Sequence, residues 1–199
     1  MYQHFNSKFQ RHVYIIHPGE YYATKEDVII STVLGSCVAV VLYDTVNKFG
    51  GMNHFMLSVN FDTKSTNSYY ISNSGKYGMY AMELLINDML KKGAKKSQLI
   101  AKVFGGGTVL RMDKSYSNKI PQTNIDFAFT FLETEGIPIK TYDVGGDNAR
   151  KVFLFPKTAR ILLKRIERTY AAPIQKEEKE YLEKIKKKNT EEGGEITLF

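Results

Sequence analysis

The sequence predicts an α+β protein. Three observations carry this reading. Runs of β-branched residues crowd both ends of the chain, two segments with helical apolar spacing lie in its middle, and glycine clusters separate them. Strands and helices alternate only in the central part, which argues against a doubly wound parallel sheet. The 199 residues suffice for one sizeable domain, and an apolar fraction of 43% suits a packed core.

Residues 1–12 have no clear period and read as an N-terminal arm. "VYII" predicts a short strand, Val13 to Ile16, ended by Pro18-Gly19. "DVIISTVL" and "CVAVVLYD" read as two buried strands joined at Gly35. Gly50-Gly51 reads as a turn, with "MNHFMLSV" as the next strand. Residues 60–75, rich in Ser, Thr and Asn, read as a long loop of the kind that serves as a lid or binding segment.

"KYGMYAMELLINDMLKKG" predicts a helix, with Tyr77, Ala81, Leu84, Leu85 and Met89 on one face and Gly93 as its stop. "LIAKVF" predicts a strand running into Gly105-Gly106-Gly107. "NIDFAFTFLETEG" predicts a second helix capped by Asn124 and ended by Gly136. "IPIKTYDV" reads as a strand, and "KVFLFPKTARILLKRI" as a hairpin around Pro156. The organisation expected is therefore an arm over 1–12, a domain over 13–172 and a charged, helical, solvated extension over 173–199.

A net charge of +7 permits an acidic partner without selecting one, and no nucleic-acid-binding motif accompanies it. One cysteine excludes an intrachain disulfide framework and the paired cysteines of a zinc deaminase. No apolar run reaches the roughly 18 to 20 residues of a spanning helix, and the N-terminus has no secretory-type apolar core, so the expected location is cytoplasmic. The glycine clusters lack both P-loop and dinucleotide patterns, and no cofactor or metal is expected.

That single cysteine, Cys37, follows Leu34-Gly35-Ser36 and opens an apolar run. It is either a small core hydrophobe or a thiol presented by the glycine turn. A nucleophilic thiol needs a base, and the base needs an orienting group. His4, His12 and His17 lie in the arm and first strand. His54 alone lies in a strand-like segment after a glycine pair, 17 residues from Cys37, a spacing that suits neighbouring strands.

The string "TVLGSCVAVVLYD" followed by "GGMNHFML" resembles the signature of the CheD family, chemoreceptor glutamine deamidases of bacterial chemotaxis. "GKYGMYAMELLINDMLKKGAKKSQLIAKVFGGG" and "DVGGDNARKVFLF" are similar to later family segments. The likeness spans roughly residues 13–170, and the charged C-terminal extension falls outside it. The resemblance implies a layered sandwich of mixed β-sheets with helices outside, as in toxin-type cysteine deamidases. It implies Cys37 as nucleophile and His54 as base. The family's third residue, a threonine, falls on Ser31, with Thr32 beside it as the alternative. Donors for an oxyanion are expected from the backbone of Gly35, Ser36 and Cys37. The implied partners are methyl-accepting chemotaxis receptors and a CheC-type response-regulator phosphatase, with no nucleic acid and no membrane insertion. Here Ser58 and "IPQTN", residues 120–124, depart from the family pattern. A binding adaptor without catalysis is the alternative reading.

Overall fold

The computed structural model describes residues 1–57, 73–109, 119–167 and 170–191. Among the described residues, ten strands form two five-stranded sheets. In chain order they are β1 (Tyr2–Asn6), β2 (Arg11–Ile15), β3 (Tyr21–Thr24), β4 (Ile29–Leu34), β5 (Val38–Asp44), β6 (Phe49–Asn53), β7 (Leu99–Gly105), β8 (Ile139–Val144), β9 (Ala149–Phe155) and β10 (Arg160–Ile166). Helix α1 (Asn73–Lys91) precedes β7, α2 (Lys119–Thr134) precedes β8, and α3 (Ala172–Glu191) follows β10. One sheet runs β1-β2-β4-β9-β10 and the other β3-β6-β5-β7-β8. Each is mixed, with one parallel pair: β2 with β4, and β7 with β8.

The layers follow from the alternation of side chains along a strand. In β5, Val38, Val40 and Leu42 join α1 and α2 in one apolar cluster. Ala39 and Val41, with Cys37 just before the strand, join Ile30 and Leu34 of β4 and Val152 and Leu154 of β9 in another. The strand is thus buried on both faces, which is why its sequence is continuously apolar. The order of layers is α1 and α2, second sheet, first sheet, the α+β sandwich of mixed sheets expected, while α3 sets Leu182 into the cluster between the sheets.

Several local expectations are corrected. Gly50 and Gly51 are not a turn but lie inside β6, opposite Tyr43 and Leu42. A Cβ on Gly51 would sit 2.5 Å from Ala23 Cβ, so glycine here serves close strand approach. The turn lies at residues 45–48, where Lys48 takes a φ of 57°. The segment read as an arm contributes β1, paired with β2 through Tyr2↔Ile15 to Asn6↔Arg11. Strand β3 lies in the stretch after Pro18-Gly19, where the sequence predicts no element. Helix α2 begins five residues before Asn124, with Pro121 tolerated in its first turn, so Asn124 is not its cap. Among the described residues of α1 the buried hydrophobic side chains are Met82, Leu85, Ile86 and Met89, a face rotated slightly from that expected. Of the proposed loop, residues 60–72 lie outside the described residues, as does Ser58.

Candidate active site

The site forms where β4 turns into β5. Beyond β6 the chain runs extended beside the start of β5, so that Val38 and Phe55 exchange both backbone hydrogen bonds, at 3.0 and 2.9 Å. This antiparallel register sets Cys37 opposite Met56 and diagonal to His54. The two side chains therefore leave one face of the pairing as near neighbours. Cys37 is fully buried and His54 nearly so.

The histidine is fixed by one hydroxyl. Thr32 Oγ1 lies 2.7 Å from His54 Nδ1 and 2.8 Å from the carbonyl oxygen of Ile16. A carbonyl only accepts, so the Thr32 hydroxyl donates to Ile16 and accepts from Nδ1–H. Nε2 then carries the free lone pair, and among the described residues it has no hydrogen-bond partner. Burial pulls the His54 pKa down to about 3, which leaves the ring neutral near pH 7.

Ser31 does not make this contact. Within β4 the side chains alternate: Ile30 and Leu34 belong to the inter-sheet cluster, and Thr32 shares their face. Ser31 points to the opposite face, paired across from Phe153, and its Oγ has no hydrogen-bond partner among the described residues. The expectation that placed Ser31 against the histidine is thus corrected by one residue.

The turn before Cys37 is shaped from behind. The carbonyl of Gly35 accepts from Gly107 N–H at 2.6 Å, and that of Cys37 from Gly106 N–H at 2.7 Å. The intervening carbonyl of Ser36 accepts from Asn124 Nδ2 at 2.8 Å. A trans peptide opposes its carbonyl to the next residue's N–H, so pinning the Gly35 and Ser36 carbonyls aims the N–H groups of Ser36 and Cys37 the other way. Gly105 makes the close approach possible. Its φ is 111°, and a Cβ there would stand 2.2 Å from the Cys37 carbonyl oxygen. Asn124 Oδ1 also accepts from Leu57 N–H at 2.8 Å, which ties the histidine-bearing segment to the cysteine turn.

These two donors and the N–H of Gly35 converge on a carboxylate from α3. Glu178 Oε1 accepts from the N–H of Gly35 at 2.9 Å and of Cys37 at 3.0 Å. Oε2 accepts from Ser36 N–H at 2.9 Å and Ser36 Oγ at 2.7 Å. Burial, and then the neighbouring Glu178 carboxylate, push the Cys37 thiol well above its ordinary range.

The structure thus brings Cys37, His54, Thr32, Gly35 and Ser36 together. Sequence reasoning missed Glu178, treating its helix as a solvated face. The signal was present: Ile174, Leu182 and Ile185 mark an apolar stripe, and Glu178 stands in the middle of it. It also missed the bridging role of Asn124. Among the described residues, no group of three or more His, Cys, Asp or Glu is arranged to hold a metal. No described helix is long and apolar enough to cross a membrane.

Comparison with known proteins bears on the same site. The family model for CheD chemotactic sensory transduction matches residues 56–165. The probable chemoreceptor glutamine deamidase CheD 1 of Shewanella oneidensis is 43% identical over 197 residues, 99% of this chain and 92% of its own. A probable chemoreceptor glutamine deamidase CheD from Herminiimonas arsenicoxydans is 41% identical over 196 residues, covering 98% and 93% of the two chains. That of Methylobacillus flagellatus is 39% identical over 196 residues, covering 98% and 94%. The family model begins after His54, but these relatives span both site residues. At 99% coverage the likeness also takes in α3, so the extension is not foreign to it. From this breadth of likeness, the chain belongs to the CheD family.

Proposed function

We infer that the protein deamidates glutamine side chains of chemoreceptors, with Cys37 as nucleophile, His54 as base and Thr32 as the group that orients His54. The observation that carries this reading is the convergence of three backbone N–H groups on a carboxylate beside a buried thiol, on the face that also bears His54. It is supported by the CheD family membership and by the names of the relatives.

The chemistry follows from those positions. His54 Nε2 takes the thiol proton as sulfur attacks the side-chain carbonyl carbon of glutamine. The developing oxyanion lies among the N–H groups of Gly35, Ser36 and Cys37, donors that are already aligned and need no reorganisation. The C–N bond then breaks as His54 returns the proton to the leaving nitrogen, and ammonia departs. Water, deprotonated by the same nitrogen, hydrolyses the thioester and leaves glutamate. A net charge of +7 favours approach to acidic receptor helices. A CheC-type phosphatase as second partner and the cytoplasm as location complete the proposal.

The test is mass spectrometry of a chemoreceptor cytoplasmic fragment incubated with the protein. Amide-to-acid conversion at defined glutamines, without chain cleavage, is expected. It is expected to vanish for Cys37→Ala. Conversion at an unchanged rate by that variant would overturn the reading, and backbone cleavage would make the protein a protease.

A further inference from the structure

The N–H cradle beside Cys37 holds a glutamate side chain, and glutamate is what the proposed reaction makes. Glu178 is 1% exposed, yet among the described residues it forms no ion pair. Its two oxygens are satisfied by four donors of the cysteine turn, at 2.7 to 3.0 Å. Oε1 lies between the N–H groups of Gly35 and Cys37, where the oxyanion of an attacked amide would lie.

The residue reaches this place from a helix seated on the site. Leu182, four residues on, is buried in the inter-sheet cluster that contains Cys37. Ile174, four residues back, packs with Val109, Ala149 and Ala171. Ile185 is also buried, and Tyr181 lies against Gly19. Gln175 Nε2 donates to the Val109 carbonyl at 2.7 Å, and Glu177 meets His17 Nδ1 at 2.6 Å. A burial stripe with a glutamate at its centre, aimed at the nucleophile, is an occupant rather than a solvated face.

We propose that α3 is an intramolecular product mimic: Glu178 sits where the side chain of a newly formed glutamate sits, and α3 must leave before a substrate glutamine enters. The proposal rests on the deamidase reading and adds two things to it. The resting site is closed by its own chain. The groove that α3 fills is the docking groove for the substrate, a helix carrying its glutamine between apolar residues four positions before and four and seven positions after. The closed state is inert for a stated reason. Beside Glu178 the buried thiol is held protonated, and departure of the helix both hydrates the thiol and removes the like charge.

The decisive experiment replaces the product by the substrate. In Glu178→Gln the introduced amide is presented to Cys37 in cis. Sulfur bonds to its side-chain carbonyl carbon, the C–N bond breaks, ammonia leaves with the proton from His54, and water cleaves the thioester, regenerating the wild-type side chain. Mass spectrometry of the purified variant is expected to show acid at position 178, formed at a rate independent of protein concentration. Amide is expected to persist when Cys37→Ala is combined with it. Alkylation of Cys37 by iodoacetamide is measured in parallel, since it requires no deamidation. Glu178→Ala and, as a variant that keeps the glutamate but loosens the helix, Leu182→Ala are expected to speed labelling at least about tenfold over wild type. Labelling of both at the wild-type rate, with unchanged receptor deamidation, would overturn the mimic and leave the deamidase standing. Faster labelling with no amide converted, at position 178 or in the receptor, would instead sink the deamidase reading and keep the latch.

Discussion

Asp143 and Glu178 are both acids drawn into the protein beside a glycine turn, and they are held in opposite ways. Asp143 on β8 receives Arg150 Nε at 2.6 Å and the guanidinium of Arg165. Arg150 also donates to the carbonyls of Asn148 and Gly145, so the group staples β8 to β9 and β10. Among the described residues Glu178 receives no cation, only the amides and hydroxyl of a turn. The two places are joined by one glycine run: Gly107 meets Gly35, Thr108 N–H donates to Gly146, and Gly145 N–H donates to Gly105. The difference separates a carboxylate that belongs to the fold from one that behaves as a ligand. A structural acid neutralises a buried base that would otherwise stand alone. A ligand-like acid fills donors that must be free for another molecule.

The largest expected effect lies on the structural side. Asp143→Asn leaves the buried Arg150 without its counter-charge, and removing one partner of such a pair costs about 3 kcal/mol. Thermal or urea unfolding should show this loss. Glu178→Gln, measured together with Cys37→Ala so that the amide persists, keeps one acceptor oxygen for the N–H groups of Gly35 and Cys37 and should change stability less. Equal destabilisation by the two would erase the distinction.

Next is the hydroxyl that orients the base. Thr32→Val keeps the shape but leaves Nδ1–H without an acceptor, and the ring is no longer held with Nε2 free. Deamidation at saturating receptor fragment should fall by more than about tenfold, with the unpaired buried donor costing about 1 kcal/mol of stability, so the assay is run well below the melt. Ser31→Ala, on the other face of β4, should be nearly silent. The opposite result would mean that Ser31 orients the base, against the contact seen here.

A third effect follows from the buried histidine. Its pKa is about 3 in the folded chain against an ordinary 6.5. Between these values the unfolded chain binds a proton that the folded chain does not, so stability falls as pH drops from 6.5 toward 3. Melting temperature against pH should decline less steeply for His54→Gln over that window. Parallel curves would show that His54 titrates normally.

The sequence made part of this legible and hid the rest for physical reasons. The continuous apolar run of β5 announced a doubly buried strand, and the helical spacing of Leu85 and Met89 announced α1. Gly50-Gly51 misled because close packing and turning favour the same residue, and only the approach of Ala23 distinguishes them. The Cys37–His54 pair was visible as a spacing between neighbouring strands. The choice between Ser31 and Thr32 was not, since both carry hydroxyls and the strand face is set by contacts with β9. Glu178 was hidden by distance, 141 residues from Cys37, and by a local composition that reads as solvated. Its placement between Ile174 and Leu182 was the one trace it left.

The smallest effect tests whether the cradle or the helix surface holds α3 in place. Beside Glu178, Glu177 meets His17, with the two side chains 45% and 50% exposed. Such a pair is hydrated and screened, and is worth about 1 kcal/mol or less. His17→Ala should therefore raise the rate of Cys37 alkylation by less than about fivefold, and salt should bring the wild type toward the variant. Glu178→Ala should act more strongly and with little salt dependence, because its four hydrogen bonds are shut away from water. If His17→Ala opens the site as far as Glu178→Ala does, the surface pair is the latch. The cradle would then be a passive consequence of a helix held elsewhere, and Glu178 would join Asp143 as an acid of the fold.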